Sequence, residues 1–188
     1  SDVCSSDLIA YARSSPAKLN FSSPGVGTPN HVGGAMLTTL TGIELLHVPY
    51  KMAAQSLSDL ISGTIQLSVS GLMNTVPHEK AGRLKILGVG HTHRIKWLPD
   101  LPAVSETVKG YAVASWNGWL VHTATPPDIV AKLNGEIIKA ARSPDIAERM
   151  VADGGEPLGS TPEEFAKLLA TEVARWRQVV RDAKIKLD

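Results

Sequence analysis

Short apolar, β-prone runs alternate with stretches of helical spacing along the first half of the chain. Leu19–Ser22, Leu45–Val48, Ile65–Ser70 and Leu84–Val89 read as strands, and Pro29–Leu40, Ala53–Ile61 and a shorter Thr75–Ala81 read as the helices between them. Gly63 and Gly82 stand where helices of this kind end. Such a βα repeat implies parallel strands with helices packed on their faces, so the first half predicts a doubly wound α/β lobe.

Beyond Trp116 the pattern changes. Thr125-Pro126, Ser143-Pro144 and Thr161-Pro162 each pair a capping residue with a proline, and Glu164 completes a capping box with Thr161. Three helices are expected to start there. Ile129, Val130, Leu133, Ile137, Ile138 and Ala141 form one apolar stripe; Phe165, Leu168, Leu169, Val173, Trp176 and Val180 form another, on a helix of roughly twenty residues. Tyr111–Trp116 joins the two regimes and is expected to be a crossing strand. Its aromatic residues are candidates for a hinge or cleft, with plain core packing as the alternative.

One segment carries chemistry. Phe21-Ser-Ser-Pro-Gly-Val-Gly-Thr-Pro-Asn-His31 is the end of a strand, a glycine loop and a capped helix start, with Thr28 as the cap and Pro29 at the first helical position. A helix N-terminus holds about half a positive charge and several unpaired N–H donors, so a carboxylate, phosphate or sulfate suits it. The alternative is an ordinary strand-to-helix turn whose cap satisfies itself.

Composition narrows the field. At 188 residues, 43% hydrophobic and 20% charged, the chain has enough apolar material for one sizeable core or two small ones and too much for a disordered polymer. Nineteen basic and eighteen acidic residues leave a formal charge of +1, with no basic run interleaved with aromatics, which disfavours nucleic acid and anionic membranes as partners. No apolar stretch approaches twenty residues, so no membrane span is expected. Residues 1–8, Ser1-Asp-Val-Cys-Ser-Ser-Asp-Leu8, are Ser/Asp-rich and lack the cationic start and apolar middle of a secretory signal. They read as a non-native leader outside the fold. Cys4, the single cysteine, falls within them and leaves no disulfide or thiol chemistry to argue from.

Other site chemistries fit poorly. Gly25-Val-Gly27 opens like a dinucleotide fingerprint, but Asn30 replaces the third small residue and Glu44 precedes its strand instead of ending it. No phosphate-binding Gly-x-x-x-x-Gly-Lys loop and no Gly-x-Ser-x-Gly elbow exists. His91-x-His93 puts two imidazoles on one face of a short run within a basic stretch, which reads as a loop pair instead of a metal site. His31 and His47 flank the glycine loop and read first as hydrogen-bonded structural residues. No catalytic set and no metal or cofactor site is expected.

Six motifs in order carry a resemblance. They are the Phe21–His31 segment, His47-Val-Pro-Tyr-Lys51, Lys80-Ala-Gly-Arg-Leu84, Leu98-Pro-Asp-Leu-Pro102, Ser115-Trp-Asn-Gly118 and Gly159-Ser-Thr-Pro-Glu-Glu-Phe165. Together, from about Ile9 to Asp188, the chain resembles the Bug-type periplasmic receptors of tripartite tricarboxylate transporters. The resemblance implies a type II periplasmic binding protein fold, with one complete doubly wound lobe at 9–114 and the crossing segment and C-terminal helices of the other at 115–188. It implies that the N-terminal third of such a receptor, which supplies the opening strands of that second lobe, is missing, and its signal peptide with it. It also implies a non-enzymatic role: capture of a small organic acid between closing lobes, delivery to integral membrane permease subunits, a periplasmic location and a monomeric full-length state. An α/β enzyme acting on a carboxylated or phosphorylated substrate, or a sensory receptor, is the alternative.

The resemblance also assigns a site at the strand C-termini. In the first loop, Ser22, Ser23, Gly25, Val26, Gly27 and Thr28 hold a ligand carboxylate through backbone N–H groups and hydroxyls, with His31 beside them. Met52, Ala53 and Ala54 form the second loop, although relatives usually carry glycine where Met52 stands. Lys51, just before them, reads as a solvated surface group. Ser70 and Asn74 represent the third loop, where many relatives have an acidic residue and this chain has Gly71.

Overall fold

The computed structural model describes residues 5–15, 18–152 and 155–185 and divides into two units, Trp116–Arg177 and the remainder. In the first unit a three-stranded parallel sheet has β1 (Asn20–Ser23) at its centre, with β2 (Leu46–Pro49) on one edge and β3 (Leu67–Ser68) on the other. Phe21 lies opposite His47 and also opposite Leu67. The helices of this unit are α1 (Ser5–Ser14), α2 (Pro29–Thr41), α3 (Ala53–Ile61), α4 (Leu72–Lys80) and the short α5 (Val104–Thr107).

Alternation along β1 sorts the two faces. Phe21 points to α2, where Gly34 lies so close that a Cβ there would fall 2.1 Å from the phenyl ring. Ser22 points to the opposite face and accepts a hydrogen bond from Ser56 of α3 at 2.7 Å. Helices therefore cover both faces, as a doubly wound α/β lobe requires. Thr28 caps α2 by accepting from the His31 N–H at 3.3 Å, with Pro29 in the first turn. The main core gathers Ile9, Ala12, Leu19, Met36, Ile43 and Tyr111, and a smaller one joins Val89, Ile95 and Ala103.

Three expectations for this unit change. Residues 5–8, set outside the fold by composition, form the first turn of α1: Ser5 is buried and bonded to Thr107 at 3.2 Å, and Leu8 packs on the main core. Residues 1–4, Cys4 among them, lie outside the described residues. Leu84–Val89 is not a strand, because its backbone finds other partners. Ile86 N–H donates to the Glu79 carboxylate at 2.8 Å and Val89 N–H to the Pro102 carbonyl at 2.9 Å, leaving a single parallel bridge from Val89 to Ala103. An apolar cavity of about 390 Å³ lies between this run and β3, lined by Leu67, Leu84 and Leu87 among others. Tyr111–Trp116 is likewise not a strand; Val113 N–H donates to Gly90 at 2.7 Å without a ladder.

The second unit holds α6 (Pro127–Arg142), α7 (Pro144–Ala152) and most of α8 (Pro162–Asp182). The α8 capping box is formed as expected: Thr161 N–H donates to Glu164 at 2.9 Å and Glu164 N–H to Thr161 Oγ1 at 3.2 Å. The start of α6 slips one residue from the expected Thr125 cap. Pro126 precedes a second proline, is held at ψ 141° and becomes the cap itself. Trp116 meets Phe165 edge to face at 5.3 Å. No described residue of 116–177 is buried, and Ile129 and Leu133 of the α6 stripe stay more than two-fifths exposed.

Gly34→Ala is expected to lower the urea midpoint, costing about 1–3 kcal/mol, because the α2–β1 contact must open. Gly135→Ala in α6, where an added Cβ meets nothing, is expected to raise helix stability by up to about 1 kcal/mol. Denaturation followed by circular dichroism checks both.

Candidate functional site

Parallel strands place their C-terminal ends, and the N-termini of the helices that follow, on one edge of the sheet. Here that edge collects the starts of α2, α3 and α4, behind the caps Thr28, Met52 and Gly71. The Met52 and Gly71 caps make no side-chain hydrogen bond, so the first N–H groups of α3 and α4 are left for an outside acceptor. The order β2-β1-β3 takes the chain from β1 to one edge and then, after β2, back past β1 to the other, and ligands of open α/β sheets bind at such a switch.

The loop from β1 to α2 is shaped by its glycines. Gly25 has φ +141° and Gly27 φ +77°, backbone that side-chain-bearing residues rarely adopt. Thr28 Oγ1 donates to the Gly25 carbonyl at 2.8 Å, closing the turn. Among the described residues, none accepts a hydrogen bond from the N–H of Val26 or Asn30. Asn30 donates from its side chain to the Val69 carbonyl, tying the start of α2 to the segment after β3. A cleft of about 20 Å³ joins the three loops, lined by Pro24, Asn30, Ala53, Ser56, Ser68 and Ser70 among others.

The expected site residues separate into groups. Ala53 and Ser70 line the cleft, and Gly25, Val26, Gly27 and Thr28 form the adjoining loop. Ser22 and Ser23 are wholly buried: Ser22 is bonded to Ser56, and Ser23 donates to the Gly25 carbonyl at 2.9 Å and accepts from its N–H at 3.2 Å. Their hydroxyls are committed inward. Met52 is 62% exposed, and Ala54 and Asn74 are likewise exposed; none of the three lines the cleft. His31 lies behind the loop, its Nδ1 accepting from the Gly27 N–H at 3.1 Å. Asn30, Ser56 and Ser68 are cleft residues that spacing alone did not single out. The signal for Asn30 was its place as a polar residue in the first turn of the capped helix; Ser56 needed the rotation of α3, which only packing fixes.

Two imidazoles and a phenyl ring stack beneath this loop. His31 and His47 lie 3.8 Å apart with planes 11° from parallel, and Phe21 flanks His47 at 4.9 Å. His47 Nε2 is 2.7 Å from Ser23 Oγ. Burial lowers the His31 pKa; burial first, then the His31 charge, pushes His47 down to about 4. Among the described residues no group of three His, Cys, Asp or Glu is placed to hold a metal ion, and His91 and His93 stand 5.7 Å apart at a tilt of 59°.

The stack makes stability depend on pH. An unfolded imidazole takes its proton near 6.5, whereas folded His47 takes it near 4, so between those values the unfolded chain binds more protons. The stabilisation is full above pH 6.5 and is expected to decline as pH falls towards 4. Urea midpoints from pH 8 to pH 4 check this, and His47→Phe is expected to flatten the decline.

Comparison with known proteins identifies the family and the fold. A model of the tripartite tricarboxylate transporter family receptor, TctC, matches residues 4–185, ahead of Ile9 as well as beyond it. The UPF0065 protein in the tcbD-tcbE intergenic region of Pseudomonas sp. strain P51 is 33% identical over 180 residues, which are 95% of this chain and 54% of that protein. The structure of R. palustris Rpa4515 with adipate superposes with a TM-score of 0.87 at 33% identity, and that of the periplasmic binding protein BugD with 0.82 at 28%. Each superposition covers 97% of this chain and 62% of the other. The chain thus spans about half the length of the curated relative and three-fifths of the solved chains, with the α/β fold of periplasmic binding proteins. It belongs to the Bug-type receptors of the tripartite tricarboxylate transporter family.

Proposed function

We propose that this chain is part of an extracytoplasmic receptor that captures a small organic anion by its carboxylate and delivers it to membrane permease subunits of a tripartite tricarboxylate-type transporter. The observation that carries the reading is the convergence of three helix N-termini on one edge of a parallel sheet, beside a glycine loop whose Val26 and Asn30 N–H groups lack internal acceptors. Each terminus favours an anion by roughly 0.3–1 kcal/mol in exposed settings and more when partly buried, so three together bias the cleft strongly towards negative charge. The family and the adipate of the R. palustris relative support a carboxylate as that anion. A periplasmic location follows the same relatives.

The role is capture without turnover. The one hydroxyl–imidazole pair at the site, Ser23 with His47, is buried and holds the loop, so it presents no nucleophile to a ligand.

Titration calorimetry with adipate, joined to NMR of the ligand over hours, tests the proposal. Saturable binding with adipate recovered unchanged is expected, and Gly27→Val is expected to abolish binding with the circular dichroism spectrum kept, because φ +77° and close anion approach both exclude a β-branched side chain. Formation of product in proportion to protein, or unchanged affinity in Gly27→Val, would overturn it.

A further inference from the structure

The bond from Thr28 Oγ1 closes the turn at Gly25, but Gly27 keeps access to many backbone conformations at little cost. Something outside the loop must select one. Two anchors do so, and each is an imidazole: His31 accepts from the Gly27 N–H at 3.1 Å, and His47 meets Ser23 Oγ at 2.7 Å, which in turn grips Gly25 through both its N–H and its carbonyl. The rings stack on one another at 3.8 Å, and neither lines the cleft.

We propose that His31 and His47 are positioning residues of the anion loop, an uncharged stacked pair that holds Gly25–Gly27 in the capture geometry and releases Gly27 when His31 is protonated; the link to capture rests on the function proposed above. Accepting from Gly27 fixes His31 as the neutral tautomer with its proton on Nε2. A second proton on Nδ1 turns that acceptor into a donor aimed at another N–H, and the bond is lost. A charge on either ring also faces the other ring across the stack, and His31 sits in the first turn of α2, where the helix dipole opposes a cation.

The surroundings offer no compensating anion. β1 brings Phe21 and Ser23, which do not ionise in this range; β2 brings His47 alone, and α2 His31 alone. Glu44 and Lys51, at the two ends of β2, are exposed, and Asp59 of α3 accepts from Tyr50 at 2.7 Å. His31 is the one charge that weighs on His47. The behaviour therefore runs against simple charge attraction: acid adds positive charge beside the anion site, yet capture weakens.

The full chain labelled with nitrogen-15, titrated by NMR from pH 8 to pH 4, tests this. The Gly27 amide proton is expected to move upfield with the same midpoint as the His31 ring nitrogens, below 6.5. His31→Asn supplies an amide oxygen in place of Nδ1 and is expected to hold the Gly27 signal steady across the range, whereas His31→Leu leaves it upfield throughout. His47→Phe keeps the stack and the burial, and is expected to leave the His31 midpoint below 6.5. A Gly27 amide indifferent to His31 titration, one that still titrates in His31→Asn, or rings titrating at 6.5 or above would overturn the inference. Adipate affinity, measured in parallel, is expected to fall between pH 8 and pH 5.5 more steeply for the parent chain than for His31→Asn; an equal or smaller fall would overturn the inference. Absence of adipate binding at every pH, with the NMR behaviour as expected, would support the positioning role and refute the ligand reading alone.

Discussion

Pairing of β1 on both edges, parallel each time, is the constraint on which the rest of the site depends. Because the three strands run the same way, every helix that follows one must begin at the same edge, and three sets of unsatisfied N–H groups arrive together. At the centre of the sheet, with helices over both faces, Phe21, Ser22 and Ser23 of β1 are buried, which turns the two serine hydroxyls inward. Their hydroxyls then serve the protein, one towards Ser56 and one towards Gly25, and the proposed grip on an outside anion is left to the backbone. Gly34 is part of the same constraint, since α2 reaches the edge of β1 only by lying against the Phe21 ring.

Much of this arrangement was legible in the sequence because its signals are local. A threonine followed by proline fixes the start of α2, a threonine and a glutamate three apart fix that of α8, and Ala53–Ile61 has the bounds its spacing predicts. The failures are equally specific. Leu84–Val89 has a strand's composition, but which acceptors take its N–H groups is decided by Glu79 and Pro102, contacts that periodicity does not record. Composition set residues 5–8 aside, yet burial of Ser5 depends on Thr107, a hundred positions away.

The site shows the same division. Its loops were readable from strand ends and glycines, whereas its lining was not, because Asn30, Ser56 and Ser68 enter the cleft through register and helix rotation. In the second unit the helices were legible and their burial was not. Apolar stripes predict a covered face, and the stripe residues of 116–177 remain only partly covered within that unit. Helix signals belong to a segment, but burial belongs to whatever lies across from it.

The proposed grip, made of backbone N–H groups, has no side chain of its own to mutate. Substitutions at Met52, Gly71 or Asn74 alter the shape and polarity around the cleft, while the donors of Val26 and Asn30 stay where α2 and its loop put them. Recognition of charge and choice of molecule are thereby carried by different atoms. On the proposed function, a change at the rim would alter which organic acid fits while leaving the donors that meet its charge in place.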